Sequence, residues 1–129
     1  MNLIFMRHGE ATDNVREVIS DKEIYWSVLT EQGKASVLES LEGLPAVIDK
    51  IYVSPFPRTI QTAHYVFLKY QKTEVVIENR LHEINNGKYS GKKNNDDLDQ
   101  TRIKQIQGDY FVRFGEYGEN KFDIETRLC

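Results

Sequence analysis

The chain has 129 residues, which is enough for one domain with a hydrophobic core and too few for two independent ones, so we expect a single domain over residues 1–129. Its apolar fraction of 40% is typical of a folded globular protein and excludes a disordered chain. The formal net charge of -3 provides no general attraction to nucleic acid or to an anionic membrane, and neither is expected as a partner. Any anion must therefore be bound by a few locally placed cations.

Cysteine content and the N-terminal sequence predict the compartment. The one cysteine is Cys129, so no disulfide can form within the chain. The apolar run that follows Met1 is too short for a signal peptide or a membrane span. These features predict a cytoplasmic protein.

The first predicted element is a short strand. The apolar run Leu3–Met6 breaks at Arg7, His8 and Gly9, which is the pattern of a buried strand that ends in a polar loop. Side chains at strand ends commonly form the sites of α/β folds. The loop after this strand is therefore the first candidate site.

A helix and a second strand are predicted next. Thr30 can cap a helix that the breakers Gly43 and Pro45 end, and the strand Ile48–Val53 follows. The apolar residues that are expected on the inner face of this helix are Ala35, Leu38 and Leu41.

A β-loop-α unit is predicted from Pro57, which suits the first turn of a helix after the loop that starts at Ser54. Residues at helical spacing predict one apolar side, made of Ile60, Ala63, His64, Phe67 and Leu68. A third strand is predicted at Glu74–Ile77.

The C-terminal half is predicted to contain one loop and two helices. The segment Asn85–Asp99 is rich in Asn, Gly, Lys and Asp and is expected to be an exposed loop. Helices are predicted over Asp97–Gln107 and over Asn120–Leu128. Strands that alternate with helices predict the α/β class, in three α/β/α layers around a mainly parallel sheet.

The segment Arg7-His8-Gly9-Glu10 has residue types that suit phosphoryl chemistry. A neutral imidazole is a good nucleophile near neutral pH, an adjacent guanidinium can hold two phosphate oxygens, and glycine allows close approach of the backbone. Arg58 lies at the predicted start of a helix, where free N–H groups favour an anion. The alternative is a half-buried His8 at a strand end, with Arg7 in a surface ion pair.

Four motifs in order resemble the histidine phosphatase, or phosphoglycerate mutase-like, superfamily. The first two are Arg7-His8-Gly9-Glu10 with Asn14, and Ser54-Pro55 followed by Arg58 and Gln61-Thr62-Ala63. The third is Arg80-Leu81-His82-Glu83-Ile84 with Gly87, Tyr89 and Gly91, and the fourth is Gly118-Glu119-Asn120 with Asp123 and Arg127. Asn120 stands where the family has serine. The resemblance covers nearly the whole chain.

The resemblance implies roles for five residues. His8 would become phosphorylated, Arg7 and Arg58 would clamp the phosphate, Asn14 would help to bind it, and Glu83 would donate and accept the proton. The family requires no metal and no other cofactor. Near two arginines Glu83 would be held ionised, so some burial is expected if it is to donate a proton. The alternative for Glu83 is an ordinary surface carboxylate.

The resemblance also implies a second histidine, in a His-Gly pair after a late strand, and the sequence to Cys129 has none. We therefore expect either a fragment or a naturally short form, with a fold that lacks its C-terminal part. An incomplete parallel sheet leaves backbone groups and apolar side chains without partners, so self-association into a homo-oligomer or low stability is expected.

Three functions are consistent with the sequence. The leading one is a phosphatase on small phosphorylated metabolites or on a phosphoprotein, and the alternatives are a phosphoglycerate mutase-type transfer and a non-catalytic phosphate-binding remnant. Two other histidines receive lesser roles: His64 is expected in the core or bonded to a partner group, and His82 to be structural or substrate-facing.

Overall fold

The computed structural model describes residues 1–22, 27–115 and 117–129. Within these residues the strands are β1 (Lys50–Val53) and β2 (Glu74–Ile77), and they pair in parallel with Lys50 opposite Glu74 and Val53 opposite Ile77. The helices are α1 (Thr12–Arg16), α2 (Glu31–Ser40), α3 (Pro57–Lys69), α4 (Asp96–Ile106) and α5 (Lys121–Leu128). The α/β class with a parallel sheet is confirmed.

The crossover from β1 to β2 is α3, which packs against β1 and α2. Pro57 occupies the first helical position of α3, where its missing N–H costs nothing. The sequence predicted this helix start and both bounds of β2, and both predictions are confirmed. The strand predicted at residues 48–53 begins later, at Lys50.

The strand predicted at Leu3–Met6 is wrong for the described residues, where this segment has no strand and its side chains are largely exposed. An apolar run becomes a strand only where a neighbouring strand completes its hydrogen bonds. No strand within the described ranges pairs with this segment. Among the described residues, His8 therefore follows a segment that forms no part of a ladder.

The helix α2 begins as predicted, with the Thr30 hydroxyl accepting the N–H of Gly33 at 2.9 Å. Its inner face differs from the prediction, because Gly33 and Val37 are buried while Leu38 is half exposed and Ala35 is exposed. Close packing of Gly33 against the backbone of Glu10 determines which side faces inward.

The inner face of α3 also differs from the prediction. Its buried residues are Arg58, Thr62 and Val66, whereas the predicted apolar side is largely exposed, including His64. His64 contacts the ring of Tyr65 edge-on and lies outside the core. Two of these three buried positions hold polar side chains that form hydrogen bonds with His8 and Gly9.

The segment predicted as an exposed loop, Asn85–Asp99, is exposed over residues 92–97 but partly buried elsewhere. It contains a 3₁₀ turn at Gly87–Tyr89 and the first turn of α4, and Leu98 is completely buried. A small core joins this segment to two others and consists of Ile19, Tyr89, Leu98 and Phe114, with Ile84 packed against it. Predicted to start at Asp97, α4 begins one residue earlier, capped by Asn95.

The C-terminal helix α5 begins as predicted. The Asn120 side chain accepts the N–H of Asp123 at 2.8 Å, and the Asp123 carboxylate accepts the N–H of Asn120 at 3.1 Å. Two of its apolar side chains, Phe122 and Leu128, are about half exposed, so this helix is only partly covered. Among the described residues, no helix is both long and apolar enough to cross a membrane.

Candidate active site

His8 is held by hydrogen bonds on both ring nitrogens. Its Nδ1 lies 2.7 Å from the carbonyl oxygen of Gly9, and Arg58 Nε donates to its Nε2 at 3.1 Å. A carbonyl can only accept and a guanidinium can only donate, so the proton is on Nδ1 and Nε2 carries the lone pair. The backbone N–H of Gly9 donates to the Thr62 hydroxyl at 3.2 Å, which fixes the loop on α3.

The surroundings of His8 favour its neutral form. Burial lowers the pKa of His8 below its ordinary value, and the charges of Arg58 and Arg7 lower it further. The carbonyl of Gly9 and the carboxylate of Asp13 act in the opposite direction and do not reverse the shift. The ring therefore presents an unprotonated Nε2 at neutral pH, which is the form of imidazole that attacks phosphorus.

Arg58 is buried in the first turn of α3, with only 3% of its surface exposed. Its Nη2 donates to the carbonyl oxygen of Ser20 at 3.0 Å, and its Nη1 to the Ser20 hydroxyl at 3.4 Å. The guanidinium also lies over the ring of Phe56, 4.9 Å from the centroid. These contacts fix the orientation of a full positive charge beside Nε2 of His8.

Two carboxylates balance the charge of Arg58. Asp13 Oδ2 is 3.6 Å from Nη1, and Glu83 Oε2 is 3.6 Å from Nη2. Asp13 is buried, and its other oxygen accepts the Ser27 hydroxyl at 2.5 Å. These distances are longer than those of tight ion pairs, so an incoming phosphate can compete for the same guanidinium.

Arg7 and Asn14 lie on the open side of the site. Both are exposed, and both line the same cavity as His8 and Arg58. The Asn14 side-chain oxygen accepts the N–H of Ala11 at 2.9 Å, so its NH2 group is the end that can donate to a ligand. The structure thus brings Arg7, Asn14, His8 and Arg58 to one cavity.

Glu83 borders this cavity but is less buried than the sequence led us to expect. Its side chain is 46% exposed, and Oε1 accepts the N–H of Ile84 at 2.9 Å. The burial that a proton donor would need is absent from this arrangement. Oε2 nevertheless lies on the Arg58 side of the cavity, 3.6 Å from Nη2.

The cavity has a volume of about 510 Å³ and extends beyond the five predicted residues. Its further lining residues come from the loop after α1, the segment after Glu83 and α4, and they include Glu17, Val18, Ile19, Ser20, Asn86, Asn94 and Arg102. Neither Asp13 nor Ser20 was predicted from the sequence. Asp13 was not predicted because an acidic residue is not expected beside a bound anion. Ser20 was not predicted because it reaches Arg58 only through the fold of the loop after α1.

Tight backbone packing places the His8 loop. A Cβ atom at Gly9 would lie 2.5 Å from the carbonyl oxygen of Gly33, and one at Gly33 would lie 2.0 Å from the carbonyl oxygen of Glu10. Both positions therefore need glycine for the loop and α2 to approach this closely.

A match over nearly the whole sequence identifies the class of protein. Residues 3–128 match the model of the histidine phosphatase superfamily (branch 1), and the chain belongs to that family.

One curated relative is described as a 2,3-bisphosphoglycerate-dependent phosphoglycerate mutase, from Thermoplasma acidophilum. It is 36% identical over 94 residues, which are 72% of this chain and 46% of the relative. The chain therefore spans about half the length of the curated relative that it matches.

Solved structures show the same fold over nearly all of the chain. A mycobacterial glucosyl-3-phosphoglycerate phosphatase superposes with a TM-score of 0.76 at 22% identity, covering 93% of this chain and 57% of its own. An α-ribazole phosphatase from Shigella flexneri gives 0.73 at 23% identity, with 95% and 61% covered. Bacillus stearothermophilus YhfR gives 0.70 at 28% identity, with 94% and 60% covered.

Proposed function

We propose that the protein hydrolyses phosphate monoesters through a phosphohistidine at His8. The observation that carries the proposal is the neutral His8 ring, whose unprotonated Nε2 lies 3.1 Å from Nε of the buried Arg58. A nucleophile and a fixed cation at one point are what phosphoryl transfer requires, because positioning and charge compensation supply most of its catalysis.

The first step transfers the phosphoryl group to His8. The Nε2 lone pair, freed when the phosphate takes over the N–H of Arg58 Nε, attacks phosphorus, the bond to the ester oxygen breaks, and that oxygen takes a proton from Glu83. Arg7 and Arg58 hold the phosphoryl oxygens and offset their charge, and the Asn14 amide donates to one of them. A bound substrate would cover the Glu83 side chain, which borders the same cavity.

The second step returns His8 to its starting form. Water attacks the phosphohistidine, the P–N bond breaks, and the electron pair returns to Nε2. The Glu83 carboxylate takes the proton of the attacking water, which replaces the proton that it gave to the leaving oxygen. Phosphate leaves and Arg58 returns to its contacts with Asp13 and Glu83.

The substrate class follows from the cavity. A volume of about 510 Å³ is in the range of small-molecule sites and suits a phosphorylated metabolite. A phosphorylated side chain of a protein could also reach Nε2, because the cavity is open on the Arg7 side, where Arg7 is exposed. We propose no metal and no other cofactor for the reaction.

A second candidate function is transfer of the phosphoryl group back to substrate, as in a mutase. It is favoured by the relative described as a phosphoglycerate mutase, which is 36% identical over 94 residues. In that case the phosphohistidine would be attacked by a hydroxyl of the substrate instead of water.

The test is turnover of p-nitrophenyl phosphate by the chain and by His8→Ala, with inorganic phosphate binding measured by calorimetry on both. We expect release of nitrophenol that His8→Ala abolishes. Phosphate binding without turnover would overturn the proposed hydrolysis and support a phosphate-binding module. Supplying a phosphoglycerate and following isomer interconversion by ³¹P NMR separates mutase from phosphatase activity.

We also propose that the chain self-associates and that it is cytoplasmic. The exposed apolar side chains of the N-terminal segment and of the two-stranded sheet, among them Phe5, Tyr52 and Ile77, support a homo-oligomer.

A further inference from the structure

The segment that carries Glu83 has little regular structure of its own. It follows a 3₁₀ turn at Asn79–Leu81 and continues as an irregular chain to Gly87. Half of the Glu83 side chain is exposed, so burial does little to fix it. Its position relative to Arg58 must depend on what holds the backbone on either side.

Arg127 holds this backbone on the N-terminal side of Glu83. Its Nη2 donates to the carbonyl oxygen of His82 at 3.0 Å, and its Nη1 donates to the carbonyl oxygen of Arg80. Its Nε donates to Glu119 Oε1 at 2.8 Å. All three donor groups of one planar guanidinium are thus used, which fixes its orientation.

Glu119 holds the backbone on the C-terminal side. Its Oε2 accepts the N–H of Asn85 at 2.8 Å, and its own N–H donates to the carbonyl oxygen of Asn85 at 2.8 Å. The side chains of Arg127 and Glu119 are only 16% and 14% exposed, so water competes little for these bonds.

We infer that the Arg127–Glu119 pair positions Glu83 for proton transfer, through bonds to the backbone on both of its sides. The inference rests on the proposed function and deepens it. Neither residue touches the cavity, so both are positioning residues. The capping box that starts α5 at Lys121 sets the direction of the helix and so places Arg127 against the Glu83 segment.

The experiment compares two substrates. An alkyl phosphate such as glycerol phosphate needs a proton on its leaving oxygen, whereas nitrophenolate leaves as a stable anion and needs little help from Glu83. In Arg127→Ala we expect kcat for the alkyl phosphate to fall about 10- to 100-fold, within the usual range for a general acid, and kcat for p-nitrophenyl phosphate to fall less than about threefold. An equal loss on both substrates would indicate a merely structural role and overturn the inference.

The double variant Arg127→Ala/Glu83→Gln adds a second readout. If Arg127 acts through Glu83, the double variant should be no slower on the alkyl phosphate than Glu83→Gln alone. If the losses of kcat in the two single variants multiply in the double variant, the inference is contradicted.

The matched control is Arg113→Ala. Arg113 lies outside α5 and pairs with Asp123, which is on α5 as Arg127 is; its Nη1 is 2.5 Å from Oδ2, and both side chains are more exposed than those of the Arg127 pair. Arg113→Ala should leave the ratio of kcat for the alkyl phosphate to kcat for p-nitrophenyl phosphate unchanged. A changed ratio would show that any loosening of α5 has the same effect, and would overturn the assignment to Arg127.

Failure of the proposed function can be told apart from failure of the inference. If the unaltered chain hydrolyses neither ester, the proposed function fails, and amide hydrogen exchange then decides the positioning role. Arg127→Ala should accelerate exchange at Asn85 and its neighbours relative to Arg113→Ala. Equal exchange in the two variants would overturn the inference.

Discussion

Replacement of Arg58 by alanine should remove most of the phosphate affinity. A guanidinium that donates two charge-assisted hydrogen bonds to a phosphate contributes about 1.5–3 kcal/mol for each bond. Part of that is offset, because Arg58 gives up its 3.6 Å contacts with Asp13 and Glu83 when the anion binds. A net loss of about 3 kcal/mol corresponds to binding weaker by on the order of a hundredfold.

The burial of Arg58 supports this magnitude. The side chain is held by Ser20 and lies over Phe56, so little conformational entropy is lost when the anion binds. The assay is calorimetric titration with inorganic phosphate and with vanadate. Arg58→Lys should give an intermediate loss, because it keeps the charge but not the fork.

Stability and a control must be measured alongside binding. Removing Arg58 leaves the buried Asp13 without its cation, which should lower the free energy of unfolding in urea by about 1–3 kcal/mol. The control is Arg80→Ala, which removes an exposed pair with Glu78 and should leave phosphate affinity unchanged. Phosphate affinity within twofold of the unaltered chain in folded Arg58→Ala would refute the reasoning.

Three further predictions concern stability and self-association. Gly33→Ala should lower the free energy of unfolding by about 1–3 kcal/mol, since its Cβ would lie 2.0 Å from the carbonyl oxygen of Glu10. The control Gly43→Ala should be neutral, because its Cβ meets no atom within 4 Å. Equal urea midpoints for the two variants would contradict this. The pKa of His8 is lowered in the folded state, so the unfolded chain binds the proton more readily and stability should fall as pH drops through the ordinary value of 6.5. His8→Gln should lose less stability than the unaltered chain between about pH 8 and about pH 5. An equal loss in the two proteins would contradict the shift. The chain should sediment as a dimer or larger species, and a monodisperse monomer with a high melting temperature would contradict the proposed self-association.

Much of the fold follows from local sequence signals. The cap at Thr30, the proline that starts α3, the β2 strand and the cap at Asn120 were all predicted where they occur. Each depends on residues within a few positions of one another, so no knowledge of the tertiary structure is needed.

The inward faces of the helices could not be read from apolar spacing. Arg58 and Thr62 face inward on α3 because one contacts His8 and the other accepts the N–H of Gly9. The strand predicted at residues 3–6 does not form, because strand formation depends on a neighbouring strand that these residues do not specify.

The candidate site shows the same division. The sequence predicted that His8 and Arg58 lie together, and their side chains are 3.1 Å apart. Asp13 and Ser20 were missed because their contacts with Arg58 join residues that are far apart in the sequence. The roles of the five predicted residues stay predictions until activity is measured.

The central claim is that Nε2 of His8 accepts the phosphoryl group. The direct measurement is rapid mixing with p-nitrophenyl phosphate, an alkaline quench that preserves phosphohistidine, and mass spectrometry of the peptide that contains residue 8. We expect one phosphoryl group on His8, attached at Nε2 because Nδ1 is bonded to the Gly9 carbonyl, and none in His8→Asn. Nitrophenol release without phosphoryl on His8, or with the group on another residue, would contradict it.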